Sequence, residues 1–207
     1  MQRIGLTGGI AAGKSVASRR LAELGAVVID ADELARAAVA PGTVGYDAVL
    51  EEFGPDVLAA DGTLDREALG QVVFSDDAAR ARLEAIVHPE VRRIGAEREA
   101  AAAVRDPQAV VVHSVPLLVE TGQADRFELL VLVNAPADLR VERLVRLRGM
   151  SQEQAQTRVA IQASDDERLA AADVILDGTG SDHDLIAQVD DLWTRLLAER
   201  AAEADPA

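Results

Sequence analysis

Several residue types that often define a class of protein are scarce in this sequence. It has no cysteine, which excludes disulfide bonds and thiolate metal sites. No hydrophobic run approaches the roughly 18 residues of a membrane span, and the N-terminus is expected to enter a strand and not a signal peptide. Aromatic residues make up only 2% of the 207 residues and hydrophobic residues 49%. We therefore expect a soluble cytoplasmic protein of one or two domains with an aliphatic core.

Positive charge is also scarce, since 36 acidic residues outnumber 21 basic ones and the formal net charge is -15. Nucleic acid and anionic membranes repel such a chain, so we expect neither as a partner. An anionic ligand must then be held by local positive groups. Lys14 is the only lysine. Because every other basic residue is arginine, this position is expected to need a compact, flexible ammonium group.

Strand-like and helix-like segments alternate along most of the chain. Five short aliphatic segments are predicted as strands, namely residues 3–7, 26–29, 109–113, 128–134 and 174–176. Residues 43–105 contain helical patterns and turn signals without a strand. The pattern predicts an α/β fold with a mostly parallel sheet and a helical insertion, in which one helix starts at Pro89.

The most informative motif is GGIAAGKS at residues 8–15, which fits G-x-x-x-x-G-K-[ST] between a predicted strand and a predicted helix. Glycines let backbone N–H groups wrap around an anion, and the helix N-terminus adds its positive dipole end. Lys14 can reach the β- and γ-phosphates of a nucleotide, and the Ser15 hydroxyl can coordinate Mg²⁺. The sequence therefore predicts a nucleotide phosphate site.

Two carboxylates follow the second predicted strand. Asp30 and Asp32 are two residues apart, so in extended backbone their side chains share one side of the sheet. Ligands of open α/β sheets bind at the carboxyl ends of strands, where a kinase needs a base for the acceptor hydroxyl. A helix N-cap is the alternative role for Asp32. Because the phosphate loop is present, we expect the catalytic role.

Arginines are concentrated on the predicted helix at residues 137–148. The cluster consists of Arg140, Arg143, Arg146 and Arg148. Arg140 and Arg143 lie on one ridge, although the four side chains cannot all face the same way. Two predicted capping boxes follow, at Ser151 and Ser164. This segment is interpreted as a lid over the phosphates, with a solvated helix face as the alternative.

Taken together, several segments resemble the dephospho-CoA kinase family. They are residues 6–15, 28–32, 87–89, 115–120 and 162–164 together with Arg168. Their order and spacing match over about residues 3–197. The resemblance implies a P-loop NTPase-type fold, with a parallel five-stranded sheet flanked by helices, a helical insertion domain and a helical lid. It also implies transfer of the γ-phosphate of ATP, with Mg²⁺, to the ribose 3′-hydroxyl of dephospho-CoA.

The resemblance further implies a division of the chain. The nucleotide-binding core would comprise residues 1–42 and 106–200, with the lid at about 138–170. The helical acceptor domain would be residues 43–105, and residues 201–207 would form a frayed tail. A monomer or weak homo-oligomer is expected.

The resemblance also assigns roles to individual residues. Asp32 is expected to be the catalytic base, with Lys14 and Arg143 as further catalytic residues and Ser15 as the metal ligand. The ATP phosphates would be held by Gly8, Gly9, Ile10, Ala11, Ala12, Gly13, Lys14, Ser15 and Val16. Dephospho-CoA would be bound by Asp32, Arg36, His88, Leu117 and Gln162.

This sequence departs from the family pattern at a few positions. Ala11 and Ala12 stand where Gly-Ser is usual, and Val16 stands where Thr is common. The backbone N–H groups survive these changes. Ser114 stands where many relatives carry Asp, which bears on metal support, and Gly178 where Asn often follows the last strand, which bears on adenine contacts.

Two other functions fit the sequence. One is a small-molecule P-loop kinase with a different acceptor, either a nucleoside monophosphate or a simple alcohol. The other is a nucleotide-dependent switch that transfers no phosphate. A guanine-specific switch is excluded, because its Asn-Lys-x-Asp element needs a lysine besides Lys14.

Overall fold

Five aliphatic strands form the central sheet of this computed structural model, which describes residues 1–204. The strands are β1 (Gln2–Gly8), β2 (Val27–Asp30), β3 (Val110–Ser114), β4 (Leu129–Asn134) and β5 (Val174–Asp177). Their order across the sheet is β2-β3-β1-β4-β5, and β1 pairs in parallel with β3 and β4, as β4 does with β5. The predicted five-stranded parallel sheet flanked by helices is confirmed.

The inner strands were recognisable in the sequence because they are apolar on both faces. Val111 and Val112 of β3 and Val131 and Leu132 of β4 are fully buried, although neighbouring side chains point to opposite faces of the sheet. Parallel strands covered by helices on both sides read as continuous hydrophobic runs. Val112 and Val131 share one aliphatic core cluster with Leu21, Leu192 and other buried helix residues.

Residues 1–204 contain nine α-helices. They are α1 (Lys14–Glu23), α2 (Ala31–Ala38), α3 (Val44–Phe53), α4 (Arg66–Ser75), α5 (Asp77–Arg105), α6 (Ala137–Arg148), α7 (Gln152–Ala160), α8 (Asp165–Ala171) and α9 (Asp182–Ala204). The capping boxes predicted at Ser151 and Ser164 are both present. None of these helices is long and apolar enough to cross a membrane.

The chain forms two compact units. One contains Met1–Val28 and the chain from Arg105 onward, and the other is the helical segment Ile29–Val104. The helical unit therefore begins before residue 43, because α2 also belongs to it. Leu34 of α2 lies against Gly95 of α5, and Glu33 pairs with Arg98 at 3.0 Å.

Two expected helix ends are not found. The sequence predicts a helix start at Pro89, whereas Pro89 lies inside the 29-residue helix α5. Strong helix formers on both sides favour continuation, and the carbonyl of Ala85, which loses its usual donor, lies on an exposed turn where water can bind it. The last helix is predicted to end at residue 200, whereas α9 continues to Ala204. Residues 205–207, the rest of the predicted tail, lie outside the described residues.

Replacing Leu132 of β4 by alanine should lower the free energy of unfolding by about 2–5 kcal/mol, because it leaves a cavity in a closely packed core. Urea-induced unfolding followed by circular dichroism gives the value. Leu147 of α6 is 68% exposed and provides the control, whose alanine variant should differ from wild type by about 0.5 kcal/mol or less. Equal losses in the two variants would contradict the packing described here.

Candidate active site

The segment that joins β1 to α1 is a tightly wound loop. Gly13, the residue before α1, has a φ of 115°, and Ala11 has a φ of 62°, the one positive value at a non-glycine position within residues 1–204. The N–H of Ala12 donates to the Gly9 carbonyl at 3.0 Å. Left-handed residues that alternate with ordinary ones before a helix N-terminus turn backbone N–H groups towards one point, which forms a cradle for an anion. We call residues 8–15 the phosphate loop.

The phosphate loop is pressed closely against its surroundings. A Cβ atom at Gly8 would lie 2.7 Å from the carbonyl oxygen of Val133 in β4. At Gly9 it would lie 2.5 Å from Nη1 of Arg140 in α6. Real Cβ atoms do not approach so closely. Packing against backbone therefore requires glycine at Gly8, and a side chain at Gly9 would displace the guanidinium group of Arg140. The loop is therefore held by the sheet and by α6.

Lys14 and Ser15, the polar residues of the motif, occupy the first turn of α1. Lys14 Nζ donates a hydrogen bond of 2.5 Å to Oγ of Ser114, which is fully buried at the end of β3. At the position where many relatives carry Asp, Ser114 thus provides a hydroxyl acceptor for Lys14. Ser15 is exposed at the N-terminus of α1.

The described residues contain no group of three or more His, Cys, Asp or Glu side chains that could hold a metal ion. A metal at Ser15 would therefore take most of its ligands from phosphate oxygens and water. Mg²⁺ commonly binds in this way, so the Ser15 hydroxyl fits the predicted ion.

The four clustered arginines of α6 have different environments. Arg140 is 2% exposed, so the solvated-face alternative is wrong for it, whereas Arg146 and Arg148 are exposed. Arg143 is half-buried, and its Nη1 donates to the carbonyl oxygen of Ala11 at 3.2 Å. Arg143 thus lies at the phosphate loop, and its role as a lid arginine stays a prediction.

Gln162, which follows α7, also lies at the phosphate loop. Its Oε1 accepts hydrogen bonds from the backbone N–H of Ile10 at 2.9 Å and from Nη1 of Arg140 at 3.0 Å. Leu117, another predicted acceptor-binding residue, is 45% exposed in the segment after β3.

Gly178, which follows β5, packs against the back of the phosphate loop. Its N–H donates to the carbonyl of Asn134 at 2.7 Å. A Cβ atom at this position would collide with the carbonyl oxygen of Ala12. The departure from Asn therefore has a physical reason in this chain, because any side chain would displace the loop.

In the helical unit, Asp30 and Asp32 differ from expectation. Their two-residue spacing predicts extended backbone through both, but β2 ends at Asp30 and α2 begins at Ala31. Asp30 is the N-cap, accepting hydrogen bonds from the N–H groups of Asp32 at 3.0 Å and Glu33 at 3.1 Å. The alternative N-cap role for Asp32 is therefore wrong. Its carboxylate is exposed in the first turn of α2.

A pocket of about 740 Å³ opens within the helical unit. Its apolar wall includes Val39, Leu64, Leu69, Leu83 and Val87. Asp32, Arg36 and Arg66 supply the charged groups. Of the three acceptor-binding residues predicted in this unit, Asp32 and Arg36 thus line one pocket, while His88 is exposed on α5 and does not line it.

Arg66 is a candidate site residue that the sequence analysis missed. It is the first residue of α4, directly after the N-cap Asp65. A cation at a helix N-terminus is unfavourable for the helix dipole. That conflict was the available signal that Arg66 serves something other than its own helix.

Comparison with known proteins places the chain in a family. The family model described as dephospho-CoA kinase matches residues 2–184. A relative from Frankia casuarinae named dephospho-CoA kinase is 50% identical over 99% of this chain and 87% of its own length. One of the same name from Streptomyces avermitilis is 51% identical over 95% of both chains. The chain belongs to the dephospho-CoA kinase family.

Solved structures support the fold. A Thermus thermophilus protein superposes with a TM-score of 0.79 and 35% identity over 94% of this chain and 97% of its own. The dephospho-CoA kinase of Campylobacter jejuni, at 23% identity over 94% of this chain and 97% of its own, has a TM-score of 0.66 and supports the fold. An Acinetobacter baumannii shikimate kinase also supports the fold, with a TM-score of 0.51 and 15% identity over 96% of this chain and 94% of its own. The predicted family resemblance is confirmed.

Replacing Gly178 by alanine should lower kcat/KM of the kinase by roughly 10- to 100-fold, because displacements of about 1 Å near a reacting site have effects of this size. Steady-state kinetics measures the loss. Gly70→Ala in α4 is the matched control, since a Cβ atom there meets nothing within 4 Å and the substitution should leave the rate unchanged. Wild-type activity in Gly178→Ala would refute the packing argument.

Proposed function

We propose that this protein transfers the γ-phosphate of ATP to the ribose 3′-hydroxyl of dephospho-CoA, giving coenzyme A and ADP. The observation that carries the proposal is a phosphate loop with Lys14 at the start of α1, in a chain whose residues 2–184 match the dephospho-CoA kinase family. The loop provides a binding site for the phosphate donor, and membership of the family indicates that dephospho-CoA is the acceptor.

The phosphate loop is proposed to bind the donor through the N-terminus of α1 and Lys14. Both bear positive charge before the anion binds, so binding needs no rearrangement to bring that charge to the loop. Ser15 would hold Mg²⁺, which neutralises charge on the phosphates when it is bound. Arg143 now donates to the Ala11 carbonyl. We propose that it turns to the transferring phosphoryl group when the lid, residues 138–170, closes.

Asp32 is proposed to be the catalytic base of the reaction. Its carboxylate would accept the proton of the acceptor hydroxyl while the acceptor oxygen forms a bond to the γ-phosphorus. The bond between the γ-phosphorus and the β,γ-bridging oxygen breaks, and ADP leaves. The capping role of Asp30 supports this assignment, because Asp32 is not needed to start α2.

The pocket of the helical unit is proposed to bind the acceptor. Dephospho-CoA combines a diphosphate with a long, weakly polar pantetheine arm. Arg36 and Arg66 match the diphosphate, because guanidinium groups bind phosphate oxygens in pairs. Leu69 and the other apolar lining residues match the arm. Roles for His88, Leu117 and Gln162 in acceptor binding remain predictions.

The acceptor proposal is tested by comparing kcat/KM for several hydroxyl compounds with ATP and Mg²⁺. We expect dephospho-CoA to exceed nucleoside monophosphates and a simple alcohol such as shikimate by at least about 100-fold, because a charged, hydrogen-bonded substrate group discriminates strongly. Faster turnover of another acceptor would replace dephospho-CoA in the proposal. ATP binding without turnover of any acceptor would favour the switch.

The Asp32→Asn variant should lower kcat by about 10²- to 10⁴-fold, because general-base catalysis contributes a factor of this size. ATP affinity, measured by calorimetry, should stay unchanged. Glu67→Gln is the matched control, since Glu67 is the second residue of α4 as Asp32 is of α2, and both interact with a helix dipole. If Asp32→Asn keeps more than a tenth of the wild-type kcat, another group is the base.

Replacing Arg66 by glutamine should raise KM for dephospho-CoA by about tenfold, because a hydrogen bond to a charged group is lost. KM for ATP should not change. Arg92→Gln is the control, since Arg92 is exposed on α5 in the same unit and does not line the pocket. A rise in KM for ATP instead would contradict the acceptor pocket.

Other properties of the protein rest on its charge and family alone. We propose that it acts in the cytoplasm, as a monomer or weak homo-oligomer, without a nucleic-acid partner. The net charge of -15 supports the last point.

A further inference from the structure

Two arginine side chains are buried next to each other behind the phosphate loop. Arg140 of α6 and Arg168 of α8 are each 2% exposed. Burying two guanidinium groups is costly unless anions compensate them, since like charges repel strongly where little water is present. Burial and the charge of Arg168 lower the pKa of Arg140, while Asp165 raises it. The pair therefore depends on its acidic neighbours.

Asp165 connects the two arginines. Its Oδ1 atom accepts a hydrogen bond of 2.7 Å from Nη2 of Arg140 and one of 2.6 Å from Nη2 of Arg168. A second carboxylate, that of Glu120, lies 3.7 Å from Nη1 of Arg168. Within the described residues, Nε and Nη1 of Arg168 have no hydrogen-bond partner. Asp165 thus provides the close contact to both cations.

Arg140 connects Asp165 to the phosphate loop. Its Nε donates to the carbonyl of Ala135 at 2.9 Å, and its Nη1 donates to Gln162 at 3.0 Å. The same Gln162 oxygen accepts the N–H of Ile10 at 2.9 Å. The guanidinium group also lies directly against Gly9. A shift of Arg140 would therefore move a wall of the loop and one of its backbone hydrogen bonds.

We propose that Asp165 is a positioning residue for the nucleotide phosphates, because it holds Arg140 against Gly9 and thereby keeps Gln162 bonded to the Ile10 amide. Asp165 has no need to touch the nucleotide itself. The inference rests on the proposed binding of ATP at this loop. It adds a residue of α8 to the machinery of a site whose motif lies in residues 8–15.

The first experiment measures the Kd of ATP by calorimetry for wild type and Asp165→Asn. The variant should bind ATP about tenfold more weakly, because a hydrogen bond to a charged group is replaced by a neutral one. Asp166→Asn is the matched control, since Asp166 is the exposed neighbour in the same first turn of α8, and its Kd for ATP should be unchanged.

A second pair of variants separates positioning from folding. Asp165→Asn leaves two buried cations with less compensation and is expected to lower the free energy of unfolding. Adding Arg168→Gln removes one cation, so stability should recover in the double variant. The Kd of ATP should stay raised, because Arg140 still lacks its carboxylate partner. Arg168→Gln alone keeps the Asp165 contact to Arg140 and should bind ATP as wild type does.

Each outcome decides a different point. Wild-type ATP affinity in Asp165→Asn would overturn the inference and leave the proposed function standing. Recovery of ATP affinity together with stability in the double variant would also overturn it, because Asp165 would then act through folding alone. Failure of the wild-type protein to bind ATP would overturn the proposed function and the inference together.

Discussion

The close fit of the phosphate loop to its surroundings is the constraint on which the site depends. Gly8 meets the backbone of β4, Gly9 meets the guanidinium group of Arg140, and Gly178 meets the carbonyl of Ala12. A side chain at Gly8 or Gly178 would push the loop aside, and one at Gly9 would displace the loop or Arg140. The course of the loop is therefore set by contacts within the protein, before an anion binds. A site prepared in this way does not have to reorganise when charge develops.

Charge is distributed so that an acidic protein can bind a polyanion. The net charge is -15, yet Lys14, Arg140, Arg143 and the N-terminus of α1 lie together at the loop. The buried hydroxyl of Ser114 accepts a hydrogen bond from Lys14 and so holds its ammonium group at the loop. Local fields in partly buried sites outweigh distant surface charges, which water and salt screen. The proposed binding of ATP phosphates at this loop is thus compatible with a strongly negative net charge.

The sequence predicted those features whose cause is local and missed those that depend on packing. The five strands are continuous hydrophobic runs, and the loop is a motif with fixed spacing, so both were found. Pro89 predicts a helix start because a proline in the first turn of a helix costs no hydrogen bond. The same residue is tolerated inside α5, where strong helix formers flank it and the carbonyl of Ala85 is exposed. The spacing of Asp30 and Asp32 predicts side chains on one side of the sheet only if the strand continues through both residues. The sequence does not show that β2 ends at Asp30. The proposed roles of Arg66 and Asp165 depend on contacts with residues distant in the sequence. Arg66 lines a pocket with Asp32 and Arg36, and Asp165 bonds to Arg140, so no local pattern predicts either role.

The most direct test is to identify the product that the protein forms from ATP, Mg²⁺ and dephospho-CoA. Mass spectrometry and phosphorus NMR give the mass of the product and the position of the new phosphate. Our account predicts coenzyme A with the phosphate on the ribose 3′-oxygen, formed together with an equal amount of ADP. Release of inorganic phosphate without a phosphorylated acceptor, or phosphate at another position, would contradict it.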